Sequence, residues 1–114
     1  MSEVKNPIGT RHSASNNPEV LNERAQQLKT SRSGYVGSLT KYINRISVQI
    51  SSTGNRIEVE RLLGKISGTF TKIVQLTFEY VKIVDPLEID RAESLLAEQK
   101  VKVQQIQKLC DEYL

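Results

Sequence analysis

Cysteine, histidine and tryptophan are nearly absent from this sequence, and their scarcity excludes several classes of protein. The chain of 114 residues contains one cysteine, one histidine and no tryptophan. One cysteine cannot form a disulfide within the chain, which is typical of a reducing compartment. Structural zinc sites need several cysteine and histidine ligands, so we expect no metal site and no cofactor. His12 lies in an N-terminal segment poor in large apolar residues, where a lone histidine is usually solvated.

Long apolar runs are also missing. The chain has no apolar run of about 18 residues, the length from which a transmembrane helix is inferred. The start, Met-Ser-Glu-Val-Lys, lacks the apolar core of a signal peptide, and Ser2 excludes N-myristoylation, which requires glycine at that position. We therefore expect an intracellular, cytoplasmic protein with no membrane partner.

The sequence shows no catalytic constellation. It has no nucleophile and base that a helical fold would bring together. Gly64 and Gly68 lie inside a helical pattern and not between a strand and a helix, so they form no phosphate-binding loop. We expect them instead to allow the close approach of a neighbouring helix. Glu58 and Glu60 point apart, because residues two positions apart lie on different faces of a helix. We expect no catalytic residue, no small-molecule substrate and no enzymatic activity.

Residues 55–84 carry the strongest pattern in the chain. Apolar or nearly apolar side chains recur there in steps of three and four, which predicts one amphipathic helix. The stripe consists of Val59, Leu62, Ile66, Phe70, Ile73, Thr77, Tyr80 and Val84. Because such a stripe cannot stay exposed in water, the segments on both sides are expected to cover it.

The first of these flanking helices is predicted over residues 18–51. Asn17 is a favoured N-cap, and Pro18 suits the first helical position. The apolar face is interrupted near Gly34 and Gly37, each of which lowers helix stability by about 1 kcal/mol relative to alanine. We favour one continuous helix, and the alternative is a fresh helix start near Ser33. The interruption is either a hinge or an irregular joint.

The two connections have the composition of tight turns. After the first helix, Gly54 suits a left-handed backbone conformation, and Thr53 or Asn55 caps the central helix. The sequence Asp-Pro-Leu-Glu then ends the central helix and starts a third helix. The third stripe is Ile89, Ala92, Leu96, Gln99, Val103, Ile106, Cys110 and Tyr113. A polar residue such as Gln99 in a seam either fixes the register of the helices or points sideways.

Together the three stripes predict an all-α fold, an elongated antiparallel three-helix bundle with coiled-coil-like seams. The bundle occupies residues 18–114, with helices at about 18–51, 55–84 and 86–114, and follows a disordered tail at residues 1–17. The predicted core seam consists of Leu39, Ile43, Ile46, Leu62, Ile66, Phe70, Ile73, Leu96, Val103 and Ile106.

Apolar residues beside or off the central stripe are left over for an interface. They are Leu63, Val74, Leu76, Phe78, Val81 and Ile83. Of these, we predict that Phe78 and Val81 contact a partner protein, which includes a second copy of the chain.

Charge is distributed unevenly along the chain. The net charge is +3, yet residues 85–114 carry seven acidic and four basic residues, while the preceding residues are basic overall. Opposite charges on neighbouring helices help to set their pairing, although exposed ion pairs contribute only about 0–1 kcal/mol each. So small a net charge is weak support for binding to nucleic acid, because basic helix faces are usually solvated.

One stretch resembles a known family. Residues 28–40 have a basic residue followed by the pattern Gly-x-x-Gly-x-Leu-Thr, which resembles the opening of the N-terminal helical domain in Gag-like polyproteins of Pao/BEL-type retrotransposons. The residues that fit this pattern are Lys29, Arg32, Gly34, Gly37, Leu39 and Thr40. The segments 78–80 and 85–93 resemble the end of the family's second helix and the start of its third, so the resemblance covers about residues 24–114.

The resemblance implies a structural role in helix-mediated protein assembly. We therefore expect a non-enzymatic protein–protein interaction module that forms homo-oligomers or binds another protein. Two alternatives stay open: a cellular coiled-coil adaptor unrelated to transposons, and a module that binds nucleic acid through its basic first two helices.

Overall fold

The computed structural model describes residues 18–114, which form three helices joined by short turns. Helix α1 spans Pro18–Ser51, α2 spans Arg56–Val81 and α3 spans Pro86–Tyr113. The predicted all-α three-helix bundle is thereby confirmed. The predicted disordered tail, with His12, lies outside the described residues.

Helix α1 runs without a break through Gly34 and Gly37, so no new helix starts there. A Cβ atom added to either glycine would meet no other atom within 4 Å. Packing therefore does not require glycine at these two positions, and their effect is confined to the local stability of the helix.

The turn between α1 and α2 closes with a Schellman-type cap. The amide of Gly54 donates to the carbonyl of Gln49 at 2.6 Å, and the amide of Thr53 donates to the carbonyl of Ile50 at 3.3 Å. The left-handed residue in this cap is Thr53, with a φ of 53°, and not Gly54 as predicted. Gly54 is needed for a different reason: an added Cβ would lie 2.9 Å from the carbonyl oxygen of Gln49.

Local side-chain caps start α2 and α3. The side chain of Asn55 accepts from the amide of Ile57 at 2.7 Å, and that of Asp85 accepts from the amide of Glu88 at 3.0 Å. Helix α2 ends at Val81 and does not reach residue 84 as predicted. The residue before a proline is held in extended conformation, so the chain needs several residues to turn before α3 begins at Pro86.

Contacts between the helix ends show that neighbouring helices are antiparallel. Arg24 near the start of α1 forms a 2.8 Å ion pair with Glu79 near the end of α2. The hydroxyl of Tyr113 at the end of α3 donates to the carbonyl of Gly54 just before α2.

Helix α2 packs along both other helices, while α1 and α3 contact each other less. Helix α2 is therefore the central element of the bundle.

The buried core consists of a main cluster and a smaller second cluster. The main cluster is Leu39, Ile46, Val59, Leu62, Ile66, Ile73, Ile106 and Cys110. The second cluster, near the turn between α2 and α3, is Leu28, Tyr80 and Ala92. Within residues 18–114, three polar residues are also buried, namely Arg32, Thr77 and Gln99. Gln99 thus points into the bundle and not sideways.

Candidate functional site

The ten residues predicted for the core seam all lie within or against the main cluster. Buried members are Leu39, Ile46, Leu62, Ile66, Ile73 and Ile106; half-buried members that pack on them are Ile43, Phe70, Leu96 and Val103. These side chains hold the bundle together and leave the candidate site to be sought on its surface.

The described residues contain no cluster of side chains with metal-ligand chemistry. No three histidine, cysteine, aspartate or glutamate residues within 18–114 are placed to hold a metal ion. The thiol of Cys110 is buried in the main cluster. Burial, and secondarily the charge of Asp111, raises the pKa of this thiol, so it stays protonated at neutral pH.

The two predicted interface residues lie in different environments. Phe78 keeps 62% of its surface exposed. Val81 is only half-exposed, because it packs against the second cluster. Phe78 is therefore available to a partner with more than half of its surface, whereas Val81 is available with much less.

Ile57 is an exposed residue that the sequence interpretation missed. It is 75% exposed, the highest value among the large apolar side chains of the described residues. Its position two residues before Val59, on the far side of the helix from the buried stripe, was the signal that could have identified it.

Gly64 and Gly68 face solvent and not a neighbouring helix of the same chain, so the predicted role in close packing within the bundle is wrong. A Cβ atom added to either residue would meet nothing within 4 Å. The reason is geometric: the buried stripe on α2 passes through Leu62 and Ile66, and both glycines lie on the opposite side of the helix.

These exposed positions form one surface, which we call the outer face of α2. Helical spacing in steps of three, four and seven residues places its members along one side of the helix. The exposed side chain of Glu60 lies on the same side, about five helical turns before Phe78, so this face also carries charge. The members are Ile57, Gly64, Gly68, Thr71, Gln75 and Phe78, and all are exposed. Large apolar side chains therefore lie at the two ends, and mainly small or polar side chains lie between them.

A second surface, the basic groove, lies between α1 and α2. Lys41 and Arg45 of α1 and Arg61 of α2 line it. Glu58 accepts two hydrogen bonds from Arg61, and these bonds, with the charges of Arg61, Arg45 and Lys65, lower its pKa. The groove thus has an excess of positive charge around one carboxylate.

The fold and its surface define a class, a small antiparallel three-helix bundle with one exposed face on its central helix. No helix within residues 18–114 has the length and apolar character needed to cross a membrane. No protein-family model matches the chain, and no curated protein or solved structure matches it.

Proposed function

We propose that this protein is a non-enzymatic assembly module that binds other protein surfaces through the outer face of α2. The observation that carries the proposal is the exposure of Ile57 and Phe78 on the side of α2 that faces away from the buried stripe. Single exposed apolar side chains are common on soluble proteins. Here two large ones lie on the one side of α2 that neither neighbouring helix covers, which is the side we assign to a partner.

The energetic reason is the solvent-exposed apolar area that binding would remove. Complete burial of a side chain the size of isoleucine or phenylalanine is worth about 1.5–3 kcal/mol. Ile57 and Phe78 contribute little to the bundle core, so their apolar surface is free to contribute to binding. Half-buried Val74 and Val81 flank Phe78 and extend this end of the face.

The resemblance to the N-terminal helical domain of Gag-like retrotransposon proteins supports the same role, because that family works through helix-mediated assembly. We extend the proposal accordingly to an intracellular Gag-like assembly domain that forms homo-oligomers. A cellular coiled-coil adaptor would use the same surface for a different protein partner.

Sedimentation equilibrium over a range of chain concentrations, at low and high salt, tests the proposal. We expect a concentration-dependent oligomer that persists at high salt, because apolar contacts are not screened by ions. A chain that stays monomeric at high micromolar concentration would contradict self-assembly.

A matched pair of variants makes the test specific to the outer face. Phe78→Asp places a charge on the outer face of α2, whereas Leu87→Asp places one on α3 at a residue that is 60% exposed. We expect Phe78→Asp to abolish association and Leu87→Asp to preserve it. Both variants should unfold at nearly the wild-type urea concentration, since neither removes a buried contact.

The basic groove supports a second candidate function, the binding of nucleic acid. Lys41, Arg45 and Arg61 lie together there, with Lys65 nearby over the ring of Tyr42. Such binding would weaken steeply as salt concentration rises, because it releases counterions from the phosphate backbone. Fluorescence anisotropy with a labelled duplex at two salt concentrations distinguishes this function from apolar assembly.

A further inference from the structure

The outer face of α2 is nearly symmetric about its own midpoint. Ile57 lies ten residues before Ser67, and Phe78 lies ten residues after Gly68. Gly64 and Thr71 are likewise three residues from this central pair. Large side chains therefore occur at equal distances from the centre, and so do small ones.

We propose that a second copy of the chain docks on this face, with the two α2 helices antiparallel about a two-fold axis between Ser67 and Gly68. The inference rests on the proposed assembly function and specifies its geometry. In a two-fold interface the same patch serves both partners, so a self-complementary face is required. Reversal about the midpoint sets Ile57 of one copy beside Phe78 of the other and Gly64 beside Thr71.

The centre of the face allows the helices to approach closely. Gly64 and Gly68 have open space where a side chain would otherwise lie. Helices usually pack with axes about 8–10 Å apart, and glycines at the contact favour the short end of that range. Close approach at the centre then lets Ile57 and Phe78 reach the partner helix at both ends of the contact.

Charge favours the antiparallel over the parallel pairing. Glu60 lies on the outer face in line with Phe78, and antiparallel pairing sets it opposite the neutral Gln75 of the second copy. Parallel pairing would set Glu60 against Glu60 and would also align the two helix dipoles unfavourably.

The size of the contact predicts a weak dimer. The face extends over 21 residue steps from Ile57 to Phe78, or about 31 Å at 1.5 Å per residue. One helix pair of this length buries less than the roughly 800 Å² per partner of a standard interface, so we expect a dissociation constant on the order of micromolar.

Disulfide trapping tests the orientation and the register. Gly64→Cys and Thr71→Cys chains are prepared separately, then mixed at a concentration above the expected dissociation constant and mildly oxidised. We expect a covalent dimer containing one chain of each variant, because residues 64 and 71 of different copies lie side by side. Wild-type chain is the control for Cys110, whose buried thiol should not cross-link.

Each variant oxidised alone should remain uncross-linked. Two copies of residue 64 would be about 10 Å apart along the axis, because seven residues separate positions 64 and 71. A disulfide needs Cα atoms within about 7 Å. Cross-linking of Gly64→Cys with itself would instead indicate parallel pairing and overturn the inference.

Sedimentation equilibrium of the same chains distinguishes the two-fold α2 pairing from the assembly function. An oligomer that forms without the cross-link between residues 64 and 71 refutes the two-fold α2 pairing but leaves the assembly function intact. A chain that stays monomeric in sedimentation and forms no cross-link refutes both. Gly68→Leu provides a second check, since a bulky side chain at the centre should weaken dimerisation at least tenfold and leave the monomer folded.

Discussion

The guanidinium of Arg32 lies over the ring of Tyr80, with its Cζ atom 5.0 Å from the ring centroid. Tyr80 in turn donates a 2.9 Å hydrogen bond from its hydroxyl to Glu88. One aromatic residue thus joins all three helices beside the second cluster. Arg32 is only 7% exposed, and neither its Nε nor its Nη1 has a hydrogen-bond partner within the described residues.

Replacing Arg32 with methionine is therefore expected to stabilise the protein by about 1 kcal/mol. The cation–π contact with the ring of Tyr80 stabilises the fold by only about 0.5–2 kcal/mol. Removing a charge from water typically costs several kcal/mol, which is more. Urea unfolding monitored by circular dichroism measures the change. Arg32→Ala is the control: it removes the same charge but leaves a cavity, so it should destabilise the bundle by about 2 kcal/mol. A loss of stability in both variants would show that the charge itself is favourable.

The cap between α1 and α2 gives a second prediction. Thr53 adopts a left-handed conformation that a β-branched residue rarely occupies, at a cost of about 1–2 kcal/mol. Thr53→Gly should relieve this strain and raise the free energy of unfolding by about 1 kcal/mol. Gly54→Ala should have the opposite effect, because its new methyl group would collide with Gln49. Thermal unfolding of both variants checks the pair, and a stabilised Gly54→Ala would contradict the cap geometry.

The glycines of α1 give a third prediction. Gly34→Ala and Gly37→Ala should each stabilise the bundle by up to about 1 kcal/mol, because alanine is the better helix former and the new methyl group meets no neighbour. Gly64→Ala has the same open space on α2. It should stabilise the monomer similarly, yet weaken association if two α2 helices pack closely. Urea unfolding together with sedimentation distinguishes these effects, and unchanged association would count against close α2 packing.

Stability at alkaline pH provides a fourth prediction. Burial, followed by the hydrogen bond to Glu88, raises the pKa of the Tyr80 hydroxyl above its ordinary value. A group with a raised pKa in the folded state stabilises the fold while it is protonated, and this contribution is lost as pH rises through the folded pKa. We therefore expect the urea midpoint to fall from about pH 10 upward, where tyrosine begins to ionise in the unfolded chain.

Tyr80→Phe is the control for this pH dependence. Phenylalanine cannot ionise, so the alkaline decrease in stability should be smaller than in the wild type. Loss of the hydrogen bond to Glu88 should also lower stability by about 1 kcal/mol at neutral pH. An identical alkaline decrease in stability in both proteins would show that other ionisable groups cause it. One such group is the thiol of Cys110, whose pKa is also raised.

Local signals in the sequence predicted much of the fold. The stripe through Leu62, Ile66 and Ile73 is an intrinsic property of helical spacing, so the existence of α2 and its buried side could be inferred without a structure. The start of α3 could be predicted in the same way, because an aspartate N-cap followed by proline is a local signal contained within one helical turn. The end of α2 was placed three residues too late, since apolar residues 83 and 84 continue the stripe into the turn.

The composition and spacing of this sequence by themselves determined three amphipathic helices, their approximate bounds and the residues that line the core. Only the tertiary structure decided that no neighbouring helix reaches Gly64 and Gly68, that Val81 is half-buried, and that Arg32 is buried. The physical reason is that periodicity specifies which side of a helix is apolar, whereas burial depends on how far around that helix its neighbours extend. Two neighbours cover the inner side and the flanks of α2 and leave its outer face open.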